Sequence, residues 1–175
     1  MRHFLSGAAA TACLLATLVS HAEDCVFKWD IHREQALFAG TAKSAVASTS
    51  AAAPTSVTLG TLYQIKLFPA ESVSYDLPPG KRMLTEGTFA GLLAFHVPAT
   101  GAYRVALDGP FWIDVVANHQ LVGTKDFGGP QNCHGGPRKL VEFDLNADTN
   151  YLLQLSGASA EEVKIAITPS ANSTP

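Results

Sequence analysis

The side chains able to carry chemistry are few and widely spaced. Beyond residue 22 there are four histidines: His32, His96, His119 and His134. An iron dioxygenase of the cupin type needs two histidines and a carboxylate converging on one metal. Its pattern sets His-x-His a few residues before Glu, and the chain contains no His-x-His. His32-Arg33-Glu34 matches the His-x-Glu of zinc deaminases, but the Pro-Cys-x-x-Cys that completes that metal site is missing. Asp126-Phe127-Gly128 spells a kinase tripeptide without the glycine-rich phosphate loop or the catalytic-loop motif. No serine sits in a Gly-x-Ser-x-Gly elbow. No catalytic residue is assigned. A small metal-dependent oxygenase, cupin-like with non-haem iron, is the alternative function to test against a binding role.

Binding chemistry has better candidates. Trp112 has the parity opposite Phe111, Ile113 and Val115, so it faces away from the core side of its strand. An aromatic presented there can stack on a sugar ring or dock a partner. The other candidate place is the Gly- and Pro-rich stretch from Gly123 to Arg138, which is long for a loop in a compact domain. It carries Asp126, His134 and Arg138, with Lys139 adjoining. Asp108, Asp114 and Asp126 lie near turns, where loop oxygens could hold Ca²⁺, although no dense Asp/Asn ligand run occurs.

Cysteine usage and the leader point to export. Arg2 provides a positive n-region, and Gly7 to Val19 is small and apolar apart from Thr11 and Thr17. Ser20-His21-Ala22 ends in the small residue that a signal peptidase requires. The apolar run is shorter than the roughly 20 residues that span a bilayer. Residues 1–22 are therefore expected to be a signal peptide, which would discard Cys13 and leave Cys25 and Cys133. Two cysteines in an exported chain most simply pair as a disulfide. Acidic Glu23 and Asp24 before Cys25 argue against lipidation.

The chain has 12 Lys and Arg against 15 Asp and Glu, a formal charge of −3. No basic run exceeds two residues (Lys81-Arg82, Arg138-Lys139), which excludes the clustered cations that nucleic acid or anionic lipid demands. The expected location is periplasmic or secreted, with no membrane span after cleavage.

The elements that must position these groups are strands. Phe27, Trp29 and Ile31 alternate with Lys28 and Asp30, as a short strand would, and His32 to Phe38 suits a helical turn. Gly40 to Ser56 is almost all Ala, Ser, Thr and Gly and is expected to be a linker or loop. From Val57 onward apolar residues alternate. Ile65 and Leu67, then Phe89 to Val97, Tyr103 to Leu107, Phe111 to Val115, Val141 to Leu145, Tyr151 to Leu155 and Val163 to Ile167 each keep one apolar parity. Asp108-Gly109 reads as a hairpin signal, and Asn118-His119 as a tight turn before an edge at Gln120–Val122. About eight or nine short strands with one apolar face each predict an all-β fold, an antiparallel β-sandwich of jelly-roll or Greek-key type. The expected organisation is a segment at 23–39, the linker at 40–56, the sandwich at 57–168 and a disordered tail at 169–175.

The stretch Phe95-His-Val-Pro-Ala-Thr-Gly-Ala-Tyr-Arg-Val-Ala-Leu107, continuing to Trp112-Ile-Asp-Val-Val116, resembles the bacterial pre-peptidase C-terminal domain family. Tyr151-Leu-Leu-Gln-Leu-Ser-Gly157 with Val163-Lys-Ile-Ala-Ile167 is similar to that family's closing strands. The resemblance spans roughly residues 57–168. It implies a jelly-roll accessory module that assists binding or secretion, and the expectation here is a free-standing module without an attached enzyme domain. The function expected on these grounds is an exported non-enzymatic module that binds a glycan, envelope component or protein partner. A structural accessory of an export or envelope complex is a further alternative.

Overall fold

A computed structural model describes residues 27–80, 86–129 and 135–170. The expected leader, the expected disulfide partners Cys25 and Cys133, and His134 lie outside the described residues. Twelve strands are present among the described residues. They are β1 (Lys43–Val46), β2 (Thr55–Ser56), β3 (Tyr63–Lys66), β4 (Phe68–Pro69), β5 (Phe89–Val97) and β6 (Gly101–Leu107). Then follow β7 (Trp112–Ala117), β8 (Gln120–Val122), β9 (Thr124–Gly128), β10 (Lys139–Leu145), β11 (Thr149–Ala158) and β12 (Glu162–Pro169). One helix, α1, covers His32–Phe38.

The strands form two sheets. The first has the order β1-β3-β12-β6-β10-β9 and the second β2-β5-β11-β7-β8, with β4 also on β5. Stripped of the short added strands, the orders β3-β12-β6-β10 and β5-β11-β7-β8 are those of a jelly roll, and all their pairings are antiparallel. The inward residues are those the alternation predicts. Leu93, Phe95 and Val97 of β5 meet Val105, Leu107, Val141, Phe143, Ile165 and their neighbours in one core between the sheets. Each such side chain contributes roughly 1.5–3 kcal/mol of burial.

Several expectations need correction. The segment at 40–56 is not a linker: β1 pairs parallel with β3, Ser48 bridges Leu92, and β2 pairs parallel with β5. It crosses from one sheet to the other and closes that side of the sandwich. Small residues suit this role, because Ala47 sits directly against Gly91 of β5. These two contacts are also why the sheets are mixed rather than wholly antiparallel. Asp108-Gly109 does not close a hairpin. β6 is already paired on both edges, to β12 and β10, so the chain must cross to the other sheet. The long loop after Gly123 begins with a strand, β9, paired to β10. Residues 169 and 170 do not belong to a disordered tail, since Pro169 ends β12 and buried Ser170 donates its N–H to Ala102 O at 2.8 Å.

Both sheets also carry a second cover. Phe27, Trp29 and Ile31 form no strand. With Phe38 and Leu37 of α1 they pack on Ala106, Leu140 and Ala166, the outer face of the first sheet. On the second sheet, Ala70, Val73 and Tyr75 lie over Ala90, Leu92 and Leu152. One apolar face per strand is therefore too few for the central strands, and polar groups on the outer parity become buried. Arg104, Glu142, Thr168, Asp114, Gln154 and Ser156 are all buried.

Candidate functional site

The second sheet opens at one edge. β7 and β8 are joined by the turn Asn118-His119, both with positive φ (50° and 56°), as a two-residue primed turn requires. Their ladder covers only Ala117↔Gln120, Val116↔Leu121 and Val115↔Val122. After Val122 the chain passes through Gly123 and becomes β9, which joins β10 in the opposite sheet. The first half of β7 is left behind. A groove of about 380 Å³ fills the space where the sheets part. Trp112 and Ile113 form one wall, and Thr124 to Phe127 the other. Val141 lines it from the core side, and Lys139 contributes a cation.

Phe127 is the unusual residue of this groove. Its register partner is Val141, which is buried on the core-facing side, yet Phe127 itself is 68% exposed. Its strand is the edge of its sheet, so the sandwich does not close over it. A phenyl ring held on a strand and left in water is an informative exposure. Trp112 is half-buried. Its Nε1–H donates to Asp114 Oδ2 at 3.0 Å, and the same oxygen accepts from Gly80 N–H at 2.9 Å. The Lys139 ammonium lies 5.4 Å from the Trp112 ring centroid and donates to Phe111 O at 2.8 Å.

The remaining charges of the groove are tied at its outer rim. Asp126 pairs with Lys28 of the N-terminal segment, and this bond lowers its carboxyl pKa. Lys125 donates to Asp144 Oδ1 at 2.8 Å, which raises its ammonium pKa. Glu142 lies 3.9 Å from the same ammonium.

Of the residues expected in a site, the structure brings Trp112 and Asp126 to one groove. Arg138 belongs to an adjoining pocket of about 300 Å³, shared with Asp108 and the turn at Gly157–Ala160. Burial pushes the Asp108 carboxyl pKa up, against opposing hydrogen bonds to backbone N–H groups and the charges of Lys164 and Arg138. Sequence reasoning missed Phe127 and Ile113 as site residues and noted Lys139 only as a neighbour of the loop. Phe127 sat in a stretch read as irregular, and nothing local announces where β8 abandons β7.

The groups considered for metals do not converge. His96 Nδ1 is 3.2 Å from Asn150 Oδ1, and His119 Nδ1 is 2.8 Å from Asp76 Oδ1. Asp108, Asp114 and Asp126 each meet different protein donors. Among the described residues no group of three His, Cys, Asp or Glu is placed to hold a metal ion. Among them, too, no helix is long and apolar enough to cross a membrane. No known family model matches the chain, and the search of curated proteins finds no match.

Proposed function

We propose that this protein is an exported, non-enzymatic β-sandwich module that binds a glycan, envelope component or protein partner in the groove between Trp112 and Phe127. One observation carries the reading: an aromatic 68% exposed on an edge strand, beside an apolar groove with a few polar groups at its rim. The resemblance to pre-peptidase C-terminal domains supports the same kind of role. The test is immobilised protein probed with a glycan array, peptidoglycan fragments and a random dodecapeptide display library. Binding lost in Phe127→Ala but retained in Val46→Ser, which alters an exposed apolar side chain on the opposite edge strand, supports the groove. A ligand bound equally by Phe127→Ala places the site elsewhere and ends this reading.

Export and the Cys25–Cys133 disulfide belong to the same proposal. The leader composition supports export. Fusing residues 1–30 to a secreted reporter is expected to give cleavage after Ala22, and retention of the intact leader contradicts it. The disulfide draws support from the contacts between the two flanking segments. Lys28 pairs with Asp126, and Trp29 packs beside Gly128. Cys25 lies three residues before Lys28, and Cys133 five residues after Gly128. At up to about 3.5 Å per residue these lengths permit the bridge. Mass spectrometry of exported protein, digested without reductant, should recover the linked Cys25 and Cys133 peptides. Two free thiols would reject the pairing.

A further inference from the structure

We infer that the groove holds the alkyl or acyl chain of a single uncharged amphiphile, which makes the envelope component of the reading above a lipid tail. The inference rests on the groove being the binding site. Its polar groups are already engaged within the protein. Lys125 donates to Asp144 Oδ1 at 2.8 Å and lies 3.9 Å from Glu142 Oε1. Asp126 Oδ1 accepts from Lys28 Nζ and from the Phe127 N–H. Lys139 donates to Phe111 O at 2.8 Å and lies over the Trp112 ring. The Trp112 indole N–H is taken by Asp114. The backbone is closed as well. Phe111, Ile113 and Val115 are 3%, 4% and 0% exposed, so the β7 side offers no open strand edge.

What remains open to a ligand is apolar side-chain surface. The Phe127 ring is largely exposed on one wall, half-buried Trp112 stands on the other, and Ile113 and Val141 close the floor. Charge and hydrogen bonding then select the occupant. A sugar brings hydroxyls, and a peptide brings N–H and C=O groups. Taking these from water costs free energy unless a partner replaces it. A charged head group meets no uncompensated opposite charge here. A hydrocarbon chain carries none of these groups and gains with every methylene removed from water. The groove volume of about 380 Å³ lies within the roughly 300–1,000 Å³ of small-ligand sites, which suits one chain. A bilayer surface is a poorer occupant. Phe127 is the one exposed aromatic ring among the described residues, and the chain has net charge −3, whereas interfacial binding draws on a broad apolar face and cationic attraction.

The test titrates the full mature protein with 1-hexanol, 1-octanol and 1-decanol, uncharged probes that differ only in chain length. Binding is followed by NMR at the Trp112 indole N–H and across the amide spectrum. Affinity is expected to rise about two- to fourfold per added methylene. Phe127→Ala should weaken octanol binding about tenfold, and Val46→Ser should leave it unchanged. Octyl glucoside below its micelle concentration should bind like octanol, and free glucose should not bind. An unperturbed spectrum with every alcohol, or affinity flat along the series, overturns the inference. So does glucose bound as tightly as octyl glucoside. Neutral phosphatidylcholine vesicles bound through Phe127 overturn it too, since the partner is then a surface rather than one chain. A glycan or peptide hit lost in Phe127→Ala, with no alcohol bound, sinks this inference and leaves the groove standing. An alcohol bound equally by Phe127→Ala, with every other ligand also indifferent to that change, removes the groove and the inference together. Phe127 is largely exposed, so its truncation should leave the fold intact, which an unchanged unfolding midpoint would check.

Discussion

Arg104 and Glu142 face each other across β6 and β10, with Nε donating to Oε2 at 2.9 Å and both side chains almost wholly buried. The guanidinium also donates from Nη1 to Asp30 O at 2.8 Å and lies 5.0 Å from the Trp29 ring centroid. One cation thus joins the sheet to the segment that covers it. Removing one partner strands a buried charge. Glu142→Gln or Arg104→Met should cost about 3–5 kcal/mol, whereas replacing both with apolar residues of similar volume should cost far less. Urea unfolding of the two single variants and the double variant measures this. Single and double costs that simply add would show that the pair is not coupled.

The helix is fixed to the same sheet by a second buried contact. Thr168 Oγ1 on β12 donates to Glu34 Oε1 on α1, and both residues are buried. Thr168→Val keeps the shape and removes the donor. A carboxylate left without it costs about 1–3 kcal/mol or more. The loss should fall on the cover before the core, since the strands of the sandwich do not depend on α1 for their ladders. Hydrogen exchange is expected to accelerate at residues 31–39 while the β5 and β11 amides stay protected. Uniform acceleration across both would show that the helix and sandwich open as one unit.

These two contacts mark the limit of what the chain makes legible. Alternation assigns the inward residues of β5, β6, β7, β10, β11 and β12, because a period of two is a local property of an extended chain. It also puts Arg104, Glu142 and Gln154 on the opposite parity, correctly. It says nothing about whether that parity meets water. That depends on where α1 and the 70–77 segment return, which is decided by distant packing. Strands of two to five residues, such as β1, β2, β8 and β9, are too short to show a period. The groove was half legible for the same reason. Trp112 and Asp126 stand out by type, but Phe127 becomes notable only once β9 is known to be an edge.

Gly91 tests whether the Ala-rich segment is built into the fold. A methyl group added there would clash with the Ala47 methyl and come within 3.1 Å of Leu67 Cδ2. Gly91→Ala should therefore destabilise by about 1–3 kcal/mol, the usual cost of overpacking. Ala47→Gly in the same chain should recover much of that loss. Chemical denaturation of the four-member cycle reads the coupling. No recovery in the double variant would mean that Leu67 or the β5 backbone, rather than the 43–56 segment, sets the cost.

Asp108 makes a prediction about pH. Burial raises its folded pKa above the ordinary aspartate value of about 3.9, so the native state binds its proton more tightly than the unfolded chain does. Between those two values the folded protein holds more protons, and its stability falls as pH rises through that window. Above it, the full cost of an ionised, partly buried carboxylate is present; below about pH 3.9 it is absent. Asp108→Asn removes the titration and keeps an oxygen to accept the backbone N–H of Lys164. The variant should be the more stable protein at pH 7, and its advantage should shrink towards zero as the pH approaches 3.5. Urea midpoints of both proteins across pH 3.5 to 7 would show it. Parallel profiles would mean that Lys164 and Arg138 compensate the burial fully, and that the carboxylate costs the fold nothing.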